Sequence, residues 1–116
     1  MKEYVASEIV KKMIKQRIQV KGSNILVLGI TFKENCPDIR NSKVVDVVRA
    51  LKEYDTNVRI YDPWANQEEV KHEYGLDVLT EKLEEKLFDA VVMAVAHKEF
   101  KNLKLNYKII YYLNEI

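Results

Sequence analysis

Asn24-Ile25-Leu26-Val27-Leu28-Gly29-Ile30 is an unbroken apolar run framed by the breaker Lys21-Gly22-Ser23 and by a polar stretch that reaches Ser42. Continuous rather than alternating hydrophobicity predicts a strand buried on both faces, which in turn calls for a parallel sheet with covering layers. Three later segments repeat the theme. Asn57–Tyr61 reads as a second strand closed by Asp62-Pro63, Asp89–Ala96 as a central strand, and Tyr107–Tyr112 as a last one. Asp77–Leu79 adds a brief strand.

Helical spacing fills the intervals. Val44, Val45, Val48 and Leu51 recur as one face of a helix that Ser42 can cap, and Gln67–Tyr74 reads as a short helix ended by Gly75. Thr80 can cap a further small helix with Leu83 and Leu87 inward, and His97–Leu103 reads as a helical turn. Near the N-terminus, Val5, Ile9, Met13 and Ile14 lie among Lys11, Lys12, Lys15 and Arg17, the pattern of an amphipathic helix over residues 1 to about 20. That helix either packs on its own domain or docks on a part preceding it. The order β-α-β-α-β-α-β predicts an α/β fold, a Rossmann-like three-layer α/β/α sandwich with a mainly parallel sheet.

At 116 residues the chain fits one domain with a real core. Its formal charge of +1, with acidic and basic residues mixed, lacks the basic footprint of a nucleic-acid binder. No apolar run is long enough to span a membrane and no signal peptide is evident; with a single cysteine, Cys36, this points to a reducing, cytoplasmic setting. Two isolated histidines and one cysteine offer no metal-ligand spacing.

The chemistry is expected in the stretch Gly29–Ser42. A connection of about ten residues exceeds the roughly two to six that a strand-to-helix step needs, and loops of that kind carry function. In a parallel sheet it leaves from the edge where ligands bind. Lys33 and Arg40 suit a phosphorylated metabolite, Arg40 by a bidentate fork and Lys33 as a point charge. The alternative is two solvated charges, one of them paired with Glu34 or Asp38. Neither G-x-G-x-x-G nor a P-loop is present. Asp62 reads as a turn residue or as an acid for ribose hydroxyls, and His97 as a locally hydrogen-bonded residue or a ligand contact. Tyr61 and Trp64 read as aromatics shielding the sheet edge or as a stacking surface, while Tyr107, Tyr111 and Tyr112 read as strand residues. Cys36 has no identifiable partner base and reads as an incidental thiol.

Three segments together carry a resemblance: Gly29–Asp46 (GITFKENCPDIRNSKVVD), Tyr61-Asp62-Pro63, and Ala94–Phe100 (AVAHKEF). They resemble the C-terminal domain of the UDP-glucose/GDP-mannose dehydrogenase family, and within it the bacterial branch that oxidises UDP-N-acetyl-hexosamines. The resemblance implies an NAD-dependent oxidation of a sugar C6 alcohol to a carboxylate, making UDP-uronic acids for surface polysaccharide. It implies that residues 1–20 lead in from a middle, dimerising domain and that 21–116 form the UDP-sugar-binding domain. By the same resemblance Phe32 and Lys33 contact the UDP-sugar and Arg40 reaches toward NAD, while the catalytic cysteine, catalytic lysine and glycine-rich NAD loop belong to regions outside these residues. Cys36 does not correspond to that cysteine, and no residue here is expected to be catalytic. The family pattern after Ile109-Ile110-Tyr111, an Asp-containing segment and then a basic residue, is not matched by Tyr112–Ile116. Two other readings stand beside this one: a free-standing nucleotide-binding regulatory module, and an interaction module whose first helix pairs with a partner or a second copy.

Overall fold

The computed structural model describes residues 2–33, 35–40, 42–80, 88–102 and 109–113. Its elements are α1 (Lys2–Lys15), β1 (Asn24–Leu28), α2 (Lys43–Lys52), β2 (Asn57–Tyr61), α3 (Gln67–Tyr74), β3 (Ala90–Met93), a 3-10 turn (Lys98–Asn102) and β4 (Ile109–Tyr112). All four strands pair in parallel, in the order β2-β1-β3-β4. The chain passes from β1 outward to β2 and then crosses back to β3 on the other side of β1, so strand order reverses between β1 and β3.

The two faces sort by residue parity, as a pleated strand requires. Ile25 and Val27 of β1, Ile60 of β2, and Ala90 and Val92 of β3 join the buried cluster formed with α1 and α2. Leu26, Leu28, Tyr61 and Val91 face the other way, against Phe88 and Phe100. In α2, Val44, Val45, Val47, Val48 and Leu51 are all buried between the sheet and α1. In α1, Val5, Ala6, Ile9, Val10 and Met13 enter the same core, while Ile14, expected in the stripe, is 61% exposed. Each apolar side chain buried fully in this way contributes about 1.5–3 kcal/mol relative to exposure.

The observed ends are shorter than expected, for local reasons. α1 stops at Lys15 because Arg17 turns left-handed (φ 63°), with Arg17 N–H donating to the Ile14 carbonyl and Ile18 N–H to the Met13 carbonyl. β1 ends at Leu28 because Gly29 (φ 98°) departs from strand geometry, and β3 ends at Met93. Asp77–Leu79 supplies only an isolated bridge, Leu79 to Tyr61. α3 begins where expected, with the Asn66 side chain accepting from Glu69 N–H, and ends on Gly75 at φ 69°. Ser42 occupies the cap position of α2, but its hydroxyl makes no cap bond and donates instead to the Ile30 carbonyl at 2.6 Å. The helix expected after Thr80, with Leu83 and Leu87, lies outside the described residues, as do Leu103 and Tyr107.

Candidate functional site

Gly29 sits where β1 meets the reversal in strand order. A side chain there would place its Cβ 2.5 Å from the Val95 Cβ and 2.8 Å from the Val95 nitrogen, so only glycine lets the chain after β1 pass against the chain after β3. Gly29 N–H donates to the Tyr61 carbonyl, and Ala94 and Val95 N–H both donate to the Leu28 carbonyl. Three strand ends are drawn together, and the crevice beyond them is where doubly wound sheets bind ligands.

Immediately beyond lies a buried polar network. Asp62 Oδ2 accepts from Ile30 N–H at 2.7 Å, Thr31 N–H at 3.1 Å and His97 Nε2 at 3.0 Å, while Oδ1 accepts from Trp64 N–H at 2.8 Å. Both the Asp62 and His97 side chains are fully buried. Burial pushes the Asp62 carboxyl up. The hydrogen bond from His97 and those from Ile30 and Trp64 outweigh it, so the group is held below the ordinary carboxylate range. His97 Nδ1 accepts from Asn35 N–H at 2.9 Å, and the Asn35 side-chain oxygen accepts from Lys98 N–H at 2.9 Å. Trp64 stacks on His97 with centroids 5.9 Å apart and donates Nε1–H to Glu99, and Phe100 packs tilted on the imidazole itself at 5.4 Å. Asp62 is thus both a turn residue, through Trp64, and the anchor of a loop 31 residues away in sequence.

Phe32 and Lys33 leave this anchored backbone for solvent. Phe32 is 56% exposed, and Lys33 is exposed and makes no ion pair among the described residues. Their backbone is held: Phe32 N–H donates to the Asp38 carbonyl at 2.6 Å and the Thr31 hydroxyl to the Lys33 carbonyl at 3.1 Å. Arg40 stands apart from Lys33 in its partner. It grips Asp38 with two bonds of 3.1 Å, which lowers the Asp38 carboxyl and raises the guanidinium. The pairing weighed from sequence is therefore present, through Nε and one terminal nitrogen of the guanidinium. Arg40 borders a cleft of about 600 Å³ shared with Cys36, Trp64, Asn66 and Glu69. A second cleft, about 520 Å³, runs along the outer edge of β2 beside Asn57, Arg59 and Asp77 and includes none of the expected site residues. Among the described residues, no group of three His, Cys, Asp or Glu could hold a metal ion, and no helix is long and apolar enough to cross a membrane.

Thr31 and Asn35 were not among the residues singled out from the sequence. The available signal was positional: Asp62 and His97 each closely follow a strand, which brings both to one edge of a parallel sheet.

Comparison with known proteins gives a consistent result. The profile of the UDP-glucose/GDP-mannose dehydrogenase family, UDP binding domain, matches residues 26–112. A UDP-N-acetyl-D-glucosamine 6-dehydrogenase of Pseudomonas aeruginosa is 50% identical over 100 residues, covering 86% of this chain and 24% of the relative. Protein CapL of Staphylococcus aureus is 45% identical over 107 residues, 92% of this chain and 25% of the relative. Among solved structures, a UDP-glucose dehydrogenase from the hyperthermophilic archaeon Pyrobaculum islandicum superposes with a TM-score of 0.76 at 25% identity, over 97% of this chain and 27% of that one. The chain spans about a quarter of the length of the curated relatives it matches.

Proposed function

Because the chain belongs to the UDP-glucose/GDP-mannose dehydrogenase family, as its UDP-binding domain, we propose that it holds the nucleotide-sugar of an NAD-dependent UDP-sugar 6-dehydrogenase, with UDP-N-acetylglucosamine as the first substrate to test. The observation that carries this reading is an exposed Phe32–Lys33 pair on a backbone fixed beyond the sheet's reversal point. Lys33, with no ion pair among the described residues, supplies a full positive charge for a diphosphate. Phe32 supplies an apolar face. Arg40, steadied by Asp38, faces the NAD of the complete enzyme, where the remaining domains and a second copy finish the site. NAD, when bound there, supplies the hydride acceptor. Reaction with a UDP-sugar and NAD puts the protein in the cytoplasm, and its product serves surface polysaccharide.

Calorimetry on the purified chain tests this. UDP-N-acetylglucosamine should bind wild type, and Lys33→Ala should weaken it about 10- to 100-fold, the loss of one charge-assisted phosphate contact of about 1.5–3 kcal/mol. Arg40→Ala should leave UDP-sugar affinity within about threefold. Both variants should keep the wild-type circular dichroism, since both side chains are exposed. Silence of wild type toward UDP, UDP-N-acetylglucosamine and NAD alike would favour the interaction-module reading.

A second outcome concerns turnover. The purified chain should form no NADH from NAD and UDP-N-acetylglucosamine, because its sequence contains no G-x-G-x-x-G and it spans about a quarter of the length of the curated relatives it matches. NADH accumulating in a continuous absorbance assay would place a complete active site within these residues and overturn the division of labour.

A further inference from the structure

We propose that His97 is a positioning residue for nucleotide-sugar binding: its ring, protonated at Nε2 and bare at Nδ1, holds Asn35 and so fixes the Phe32–Lys33 segment for the ligand. The proposal rests on the reading of that segment as the UDP-sugar contact.

The tautomer follows from the partners. A backbone N–H can only donate, so the Nδ1 that meets Asn35 N–H carries no proton. The proton therefore sits on Nε2, where the Asp62 carboxylate accepts it and the Thr31 hydroxyl lies at 3.0 Å. The Thr31 hydroxyl in turn donates to the Lys33 carbonyl. One ring thus touches the loop on both sides of Phe32 and Lys33: before them through Thr31 and the Asp62 that binds Ile30 and Thr31, after them through Asn35.

Asn35 needs such a tether. It is exposed and adopts φ 54°, a left-handed conformation that non-glycine residues hold only with local support, Asn more readily than most. Its two bonds, to His97 Nδ1 and from Lys98 N–H, both tie it to the segment after β3. Two exposed side chains on an otherwise free loop would lose conformational entropy on meeting a ligand, and fixing the backbone beforehand removes much of that cost.

The ring's two roles can be separated. Asn at position 97 carries an amide oxygen about where Nδ1 stands and keeps an acceptor for Asn35, whereas Gln carries its amide nitrogen about where Nε2 stands and keeps only the donor to Asp62. Calorimetry with UDP-N-acetylglucosamine should show His97→Gln weaker by about tenfold or more and His97→Asn within about threefold of wild type. In ¹⁵N-labelled, ligand-free wild type, a through-hydrogen-bond coupling should link the Asn35 amide to His97 Nδ1, with the ring nitrogens showing a proton on Nε2. Equal affinity in all three proteins, or Asn as weak as Gln, would overturn the proposal. So would absence of that coupling in wild type, a measurement that needs no variant to fold. If wild type binds no UDP-sugar, the functional reading falls. Amide exchange then decides the positioning: about tenfold faster exchange at Phe32 in His97→Gln but not in His97→Asn sustains the tether, and unchanged exchange ends it.

Discussion

Gly29→Ala is expected to lower the unfolding free energy by about 2–5 kcal/mol. Two costs combine. A non-glycine residue at φ 98° is in a region that L-residues rarely adopt, which costs about 1–2 kcal/mol. The added methyl then meets Val95 at 2.5 Å from its Cβ, 2.8 Å from its nitrogen and 2.9 Å from its oxygen. Backbone atoms cannot swing aside, because Val95 N–H is bound to the Leu28 carbonyl and Gly29 N–H to the Tyr61 carbonyl. Relieving the contact means prising β3 from β1, an overpacking penalty of about 1–3 kcal/mol or more. Against a total stability of about 5–15 kcal/mol for a domain, that is a large share. Gly22→Ala is the control: Gly22 is also left-handed, at φ 82°, but a methyl there meets nothing within 4 Å. Urea denaturation should separate the two variants clearly. Equal midpoints would mean that the close approach at Gly29 contributes nothing.

The same residue shows how far the sequence could be read. The apolar run 24–30, the two helices that follow the polar loop and β2, and the last strands sufficed to predict a parallel α/β sheet, because burial on both faces leaves a continuous hydrophobic signature. The need for glycine at position 29 was visible only as a generic turn or approach, since the neighbour it must avoid, Val95, is 66 residues away. Arg40 pairs with Asp38, as a spacing of two residues allows. The Asp62–His97–Asn35 network was not legible, because each member has a sufficient local explanation: Asp62 before proline as a turn, His97 as the start of a helical turn, Asn35 as a loop polar residue. Only the order β2-β1-β3-β4 brings them to one edge. Ser42 illustrates the reverse error. Its position was right for a cap, yet the Ile30 carbonyl left unpaired beyond β1 takes its hydroxyl instead.

Asp62→Asn is expected to destabilise the domain by about 3 kcal/mol or more, despite near-identical shape. All four contacts to the carboxylate are donors: Ile30, Thr31 and Trp64 N–H, and His97 Nε2. An amide replaces one acceptor oxygen by NH2, so whichever way it is turned a donor faces a donor. A buried donor left unsatisfied costs about 1–3 kcal/mol, and hydrogen bonds to a charged acceptor lost at the same time are each worth about 1.5–3 kcal/mol. The pH dependence carries the sign. Because the Asp62 carboxyl is held below its ordinary value in the folded chain, the unfolded chain binds its proton first as acid is added. Its contribution is therefore fully present above the ordinary aspartate pKa of about 3.9 and is lost as pH falls through the lower folded value. Thermal melts should show wild type losing stability in that acid window and Asp62→Asn, already weakened at neutral pH, losing less over the same interval. Parallel acid profiles for the two proteins would show that the charge on Asp62 does not hold the loop. Through Ile30 and Thr31, that charge fixes the backbone from which Phe32 and Lys33 project, so the acid window that melts the network should also be the one in which UDP-sugar affinity is lost.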